Sequence, residues 1–213
     1  MASLKDQNRY GLFSLLVANV LVYYIVVKTQ SLEFTDWKEA LFNATSAIPI
    51  GVALALTAVI NSQLPSRAKE LIVFWEWIDP LPGNRAFSKY LDSDPRIDAP
   101  ALRSVFFPLP VESIEQNRLW YRFYRDLQND PAVTSLSRGY LFARDYASIV
   151  TMMLLIFGPM GVAQIEAPFV LIAYISFLII QIGVAIRSAR NNAVRLVTTV
   201  LAIKSTSLER VHA

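Results

Sequence analysis

The sequence predicts an all-α integral membrane protein with four transmembrane helices and a helical cytoplasmic insert between the second and third spans. Three observations carry this reading. Of 213 residues, 54% are hydrophobic, and a mean hydropathy of +0.38 is too high for soluble domains of that length. Apolar runs at 11–27, 42–62, 147–163 and 169–186 are each long enough to cross a bilayer core. Charge is segregated, since these runs hold almost none, while 11 of the 20 Lys and Arg residues fall between 64 and 146. The division that follows is 1–64 as a first transmembrane helix pair, 65–146 as the cytoplasmic helical insert, 147–186 as a second transmembrane pair, and 187–213 as a cytoplasmic C-terminal helix and tail.

The first span, 11–27, follows a polar start carrying Lys5 and Arg9 and ends at Lys28. No small-x-small cleavage site follows it, and Tyr23 and Tyr24 suit an interface, so it reads as a span rather than a signal peptide. Asn19 is its strongly polar residue, with two roles open to it: hydrogen bonding between helices, or lining a pore. A short acidic connection over 30–40 leads to the second span, 42–62. There Ala44, Ala47, Gly51, Ala55, Ala58 and Ser62 recur at three- and four-residue spacing, placing small residues on one face where another helix can approach. Pro49 is expected to kink this helix.

Pro65 ends the second span, and 68–77 reads as a short amphipathic helix bearing Trp75 and Trp77, lying near the headgroups or against the protein's own body. The turn at 80–84 stops it. Short helices follow around 86–91 and, capped by Asp98, near 100–105. Ser113 and Gln116 have the spacing of a capping box, predicting a helix from 113 to about 128. On it Trp120, Phe123, Tyr124 and Leu127 fall on one face and Arg118, Arg122 and Arg125 on another. The aromatic stripe reads as core. The arginines suit either a solvated face paired with Glu115 and Asp126, or an anionic ligand, since guanidinium binds phosphate bidentately.

Asp130-Pro131 starts a helix that runs without a break into the third span, 147–163, a continuity able to carry movement between insert and membrane. Gly158 and Gly161 allow close helix contact near its far end. Residues 164–168 form a short hairpin into the fourth span, 169–186, which carries Gln181. Beyond it Ile186, Ala189, Ala193, Val197, Val200 and Ile203 keep an apolar stripe opposite Arg187, Asn191 and Arg195, so the helix continues as a packing element.

Near the span ends, nine Lys and Arg residues (Lys5, Arg9, Arg67, Lys69, Arg138, Arg144, Arg187, Arg190, Arg195) lie on one side against Lys28 and Lys38 on the other. Positive charge collects on the cytoplasmic face, which places both termini and the insert in the cytoplasm of a multi-pass protein of the bacterial inner membrane. The net charge of +3 is read as topology rather than as a nucleic-acid footprint.

The absence of cysteine excludes disulfides, iron–sulfur clusters and thiolate metal sites, and the single histidine, His212, reads as a tail residue. Neither a Walker loop nor a dinucleotide fingerprint occurs. Carboxylates are the groups left for catalysis: Glu76, Asp79, Asp92, Asp94, Asp98 and Asp145. Most adjoin Pro or Gly, where Asp serves turns and caps. The expectation is no enzyme, no metal and no cofactor.

The segments 75–88 (WEWIDPLPGNRAFS), 94–98 (DPRID), 116–121 (QNRLWY) and 140–145 (YLFARD) resemble a group of small bacterial four-span inner-membrane proteins. That resemblance implies an architecture and no particular activity. The layout is also similar to that of membrane effectors of phage-defence operons. This implies antiviral defence, with a partner enzyme making a nucleotide or oligonucleotide signal that the membrane protein answers by permeabilising the inner membrane.

The favoured expectation is therefore an oligomeric ion channel or pore-forming effector gated from the cytoplasm by an anionic, nucleotide-like ligand or a partner protein. Candidate ligand residues are Arg118, Arg122, Arg125, Arg85, Lys89, Arg96 and Arg144, with Trp75, Trp77 and Trp120 as stacking platforms. Candidate pore-lining residues are Asn19, Thr151 and Gln181. Homo-oligomer packing would use Ala47, Gly51, Ala55, Ala58, Gly158 and Gly161. The alternative is a non-conducting scaffold that recruits a cytoplasmic partner through the insert, favoured if Asn19 and Gln181 bond between helices. An enzyme acting on lipid, with carboxylates buried towards the membrane surface, is a third.

Overall fold

A computed structural model describes residues 4–42 and 64–212. All regular structure among them is helical. The second span expected at 42–62, with Ala47, Gly51, Ala55 and Ala58, lies outside the described residues. The chain divides into two compact units, one of Met1–Ile72 with Phe142–Ile186 and the other of Val73–Leu141 with Arg187–Ala213.

Three helices in the described residues are long and apolar enough to cross a membrane, as expected of a membrane-embedded protein. They are α1 (Leu4–Thr29), α6 (Pro131–Gln164) and α7 (Pro168–His212). In the first unit they share one apolar core. Leu16, Val20, Tyr23 and Val26 of α1 meet Val150, Met153 and Phe157 of α6 and Val170, Tyr174 and Leu178 of α7. The other faces carry exposed large side chains, among them Phe13, Leu155, Phe169, Ile172, Ile180 and Val184, the surface that lipid requires of a span.

Where the sequence predicts a connection at 30–40, α2 (Phe34–Phe42) occupies most of it. Phe34, Trp37 and Leu41 recur at helical spacing, and Trp37 is tied down by its indole N–H donating to the Ser31 carbonyl at 2.9 Å. Gln30, with φ of 53°, ends α1. Its side-chain amide donates to the carbonyls of Val27 (2.8 Å) and Gln164 (3.0 Å), and its Oε1 accepts from the Glu166 N–H at 2.9 Å. One side chain thereby serves the end of α1 and both arms of the turn between α6 and α7.

The second unit is built from short elements around the outer part of α7. They are a 3-10 turn at Pro82–Arg85, a π-helical turn at Ala86–Tyr90, α4 (Ala99–Val105) and α5 (Ser113–Asp126). Preceding them, α3 (Ser66–Phe74) stops three residues earlier than the 68–77 expectation. The cause is local: Trp75 takes φ of 57°, a left-handed conformation that closes the helix, and Arg190 donates its Nε–H to the Val73 carbonyl at 2.6 Å. The core joins Phe87, Leu91, Leu102, Leu119, Trp120 and Phe123 to Leu196, Val197, Val200 and Leu201 of α7. The stripe expected beyond residue 186 is thus buried at Ile186, Ala189, Ala193, Val197 and Val200. Phe107-Pro108 is a cis peptide.

The capping box expected at Ser113 does not form. Glu112 is the N-cap, without a side-chain cap, and the Ser113 hydroxyl donates to Asp79 Oδ2. Gln116 is only 2% exposed and is turned inward. Its Oε1 accepts from the N–H groups of Phe87 and Ser88, both at 3.0 Å, and its Nε2 donates to the Val111 carbonyl at 2.8 Å. Three backbone groups outside α5 take this amide in place of the helix's own N-terminus, and of them the Phe87 N–H is buried, where a missing partner costs most. Asp98 does cap α4, accepting from the Ala101 N–H at 2.9 Å.

Candidate functional site

Two constellations bear on function, one in each unit. In the membrane unit, Asn19, Tyr146 and Gln181 close a ring of hydrogen bonds across α1, α6 and α7. Asn19 Nδ2 donates to Tyr146 Oη at 3.4 Å and also to the Leu15 carbonyl at 2.8 Å. Tyr146 donates its hydroxyl to Gln181 Oε1, and Gln181 Nε2 donates to Asn19 Oδ1 at 2.9 Å. Each member both donates and accepts within the ring. Thr151, the third pore-lining candidate, bonds the Ala147 carbonyl of its own helix at 2.8 Å. Asn19 and Gln181 are therefore joined, while Thr151 is satisfied locally. Sequence reading missed Tyr146, whose signal was a hydroxyl one residue before the third apolar run.

Gly158 and Gly161 sit against α7 of the same chain. A Cβ at Gly161 would stand 3.4 Å from Leu171 Cδ1 and 3.9 Å from Tyr174 Cδ1, and one at Gly158 would stand 3.7 Å from Ile175 Cδ1. Where α6 enters this unit, Asp145 Oδ1 takes Arg144 Nη2 at 2.9 Å and Lys69 Nζ at 3.4 Å, with all three side chains largely buried. Arg144 thus serves as a counterion here. Beside this cluster, burial pushes the Glu70 carboxyl above its ordinary value, against the pull of Arg144 and Arg67.

In the second unit, α5 separates its two faces as its periodicity predicts. Trp120 and Phe123 are buried, with Trp120 stacked on Tyr124 at 5.6 Å and Phe123 against Phe106 at 4.8 Å. Trp120 is therefore core, whereas Trp75 and Trp77 are 70% and 78% exposed. The ring of Trp75 carries the Arg190 guanidinium at 4.8 Å. Arg118, Arg122 and Arg125 are all exposed. Arg118 pairs with Glu115, while Arg122 and Arg125 have no ion-pair partner among the described residues.

The other cations expected at a ligand site are spoken for. Arg85 makes a two-pronged pair with Glu76. Arg96 grips Asp94 through Nε at 3.0 Å and Nη2 at 2.7 Å, and these bonds hold the Asp94 carboxyl down at about 2. Lys89 lies 5.5 Å from the ring centroid of its neighbour Tyr90. The remaining acids are engaged too, Asp92 with Arg103 at 2.6 Å and Asp79 with Ser113.

Two of the four segments that carry the resemblance, 75–88 and 116–121, meet here. Gly83 lies under α5, where a Cβ would run into Asn117 Oδ1 and come within 2.8 Å of Trp120 Cε3, and Gln116 holds Phe87 and Ser88. Glu76 pairs Arg85, and Arg96 with Asp94 braces the turn before α4. Residues in these segments thus do structural work, latching the 80–90 turn to α5. Compared with protein-family models, curated proteins and solved structures, the chain matches none of them.

Proposed function

We propose that this chain is a membrane-anchored scaffold, a four-span protein of the bacterial inner membrane that recruits a cytoplasmic partner through its outer unit. The observation that carries the reading is the Asn19–Tyr146–Gln181 ring. Polar groups that line a water path keep bonding capacity for water, and these spend theirs on one another. In this reading 42–62 is the second of the four spans, and the nine-to-two distribution of Lys and Arg puts both termini and the 65–146 insert in the cytoplasm. The recruiting surface is the outer face of α5, where Ile114 and Tyr121 (55% and 50% exposed) stand at helical spacing with Arg118, Arg122 and Arg125. Tyrosine and arginine beside exposed apolar side chains form the composition that protein interfaces favour. Phe107 and Val111, 85% and 88% exposed, lead into it.

A second reading is favoured by Arg122 and Arg125, two exposed guanidiniums at one helical pitch with no carboxylate on them among the described residues. They suit an anionic, nucleotide-like or oligonucleotide ligand, and with it a homo-oligomeric pore acting as a phage-defence effector. Ion flux through liposomes containing the purified protein, with and without lysate from cells expressing its neighbouring genes, separates the two. The scaffold predicts no flux under either condition from protein shown to be inserted. Flux appearing only with lysate would overturn it in favour of the gated pore.

A further inference from the structure

The stretch immediately after α3 carries more exposed apolar surface than its neighbours require. Trp75, Trp77 and Ile78 are 70%, 78% and 79% exposed. The two acids among them have partners: Glu76 takes Arg85 on both of its oxygens, and Asp79 accepts from the Ser113 hydroxyl. The most exposed side chains of the stretch are then aromatic and aliphatic.

The position of this stretch is set by Arg190. Its Nε–H holds the Val73 carbonyl at 2.6 Å and its guanidinium lies 4.8 Å from the Trp75 ring. Arg190 stands four residues beyond Ile186, the end of the apolar run of α7, which at 1.5 Å per residue is about 6 Å along the helix. If the hydrocarbon core ends where the apolar run ends, at Ile186, that is the depth of the lipid headgroups. The left-handed turn at Trp75, with φ of 57°, breaks α3 there, so that the chain leaves the helix and spreads its side chains. Indole rings prefer this interfacial layer, and Arg187 and Arg190 match its phosphates in charge.

We propose that residues 75–78 are an interfacial anchor, with Trp77 and Ile78 inserted among the lipid headgroups of the membrane that α7 crosses and Trp75 clamped above them by Arg190. The occupant of this surface is lipid. The reading is independent of whether the protein conducts or recruits, since it needs only that α7 spans the bilayer.

A chain without cysteine allows a direct test. The full-length variants I78C and W77C, with Q128C at an exposed position just beyond α5 as reference, are labelled with an environment-sensitive fluorophore in phosphatidylcholine–phosphatidylglycerol vesicles. Quenching is then compared between aqueous iodide and spin-labelled lipids. At 78 and 77 the expected result is a blue-shifted emission, quenched strongly by lipid-borne spin labels near the headgroup and several-fold less by iodide than at 128. Iodide quenching equal to that at 128 would overturn the anchor. Protection from both quenchers would also overturn it, because the surface would then be covered by protein.

Discussion

Each unit buries polar groups, and one cluster from each shows a different use of them. In the membrane unit Asn19, Tyr146 and Gln181 sit on long regular helices whose backbone is already satisfied, and they bond one another. In the second unit the helices are short, and Gln116 bonds backbone in other segments, serving Phe87, Ser88 and Val111. Polar side chains therefore set which helices are neighbours in the first unit and which loops keep their shape in the second.

The largest effect should come from replacing Gln116. Gln116→Leu leaves two N–H groups and one carbonyl without their partner, the Phe87 N–H in a buried place, and a buried group so left costs about 1–3 kcal/mol. With the two part-buried groups adding less, a destabilisation of about 3 kcal/mol is expected, read as protease cleavage between 80 and 112 in otherwise inserted protein. Gly83→Ala attacks the same latch from the other side, forcing a methyl group against Asn117 and Trp120. Overpacking of this kind costs about 1–3 kcal/mol. If proteolysis after either change spread equally into the spans, the contrast between the units would fail.

The corresponding change in the membrane is expected to be milder. Asn19→Leu removes two ring bonds but leaves the helix backbone satisfied, and interhelical hydrogen bonds in bilayers are worth about 0.6–2 kcal/mol. Unfolding in mixed detergent micelles should show a loss in that range, well below that of Gln116→Leu. A loss as large as that of Gln116→Leu would mean that the ring, and not the apolar core around Val150, Met153 and Leu178, holds the three helices together.

This contrast also accounts for what could be read from the chain beforehand. Helices with a long period announce themselves: α1, α6, α7 and the split of α5 into aromatic and arginine faces all follow from spacing alone. Pairings between distant residues do not. Asn19 and Gln181 are 162 residues apart, and their individual polarity fits a pore or a helix contact equally well. Ser113 and Gln116 have a capping-box spacing, yet the competing acceptors and donors for Gln116 lie in other segments, at Phe87, Ser88 and Val111. Trp75 looked like one more turn of α3 because the Arg190 that caps the helix at Val73 is 117 residues away. Of the expected ligand cations, spacing found the open pair Arg122 and Arg125. The ion pairs that occupy Arg85 and Arg96 are set by turns whose shape spacing does not reveal.

The smallest predicted effects are electrostatic, and they have opposite signs in the two units. Asp94, with its ordinary value of 3.8 lowered to about 2 by Arg96, contributes stability that is present above pH 4 and is lost as pH falls through 2. Its partner Arg96 is 61% exposed and open to solvent screening, so the contribution is under about 1 kcal/mol. Glu70 is raised by burial from 4.5; its protonated form is the one the fold prefers, so its contribution is complete below 4.5 and is lost as pH rises through its folded value. Thermal unfolding followed between pH 2 and 7 should therefore respond to each change at one end only. Asp94→Asn flattens the acid limb, because the charged form it removes was the stabilised one. Glu70→Gln flattens the slope above pH 4.5 and is neutral or slightly stabilising at pH 7, because it removes a carboxylate that burial disfavours. A Glu70→Gln variant clearly less stable at pH 7 would show that Arg67 and Arg144 outweigh burial at that site. The Glu70 carboxylate would then be held, like that of Asp145, by its cationic neighbours.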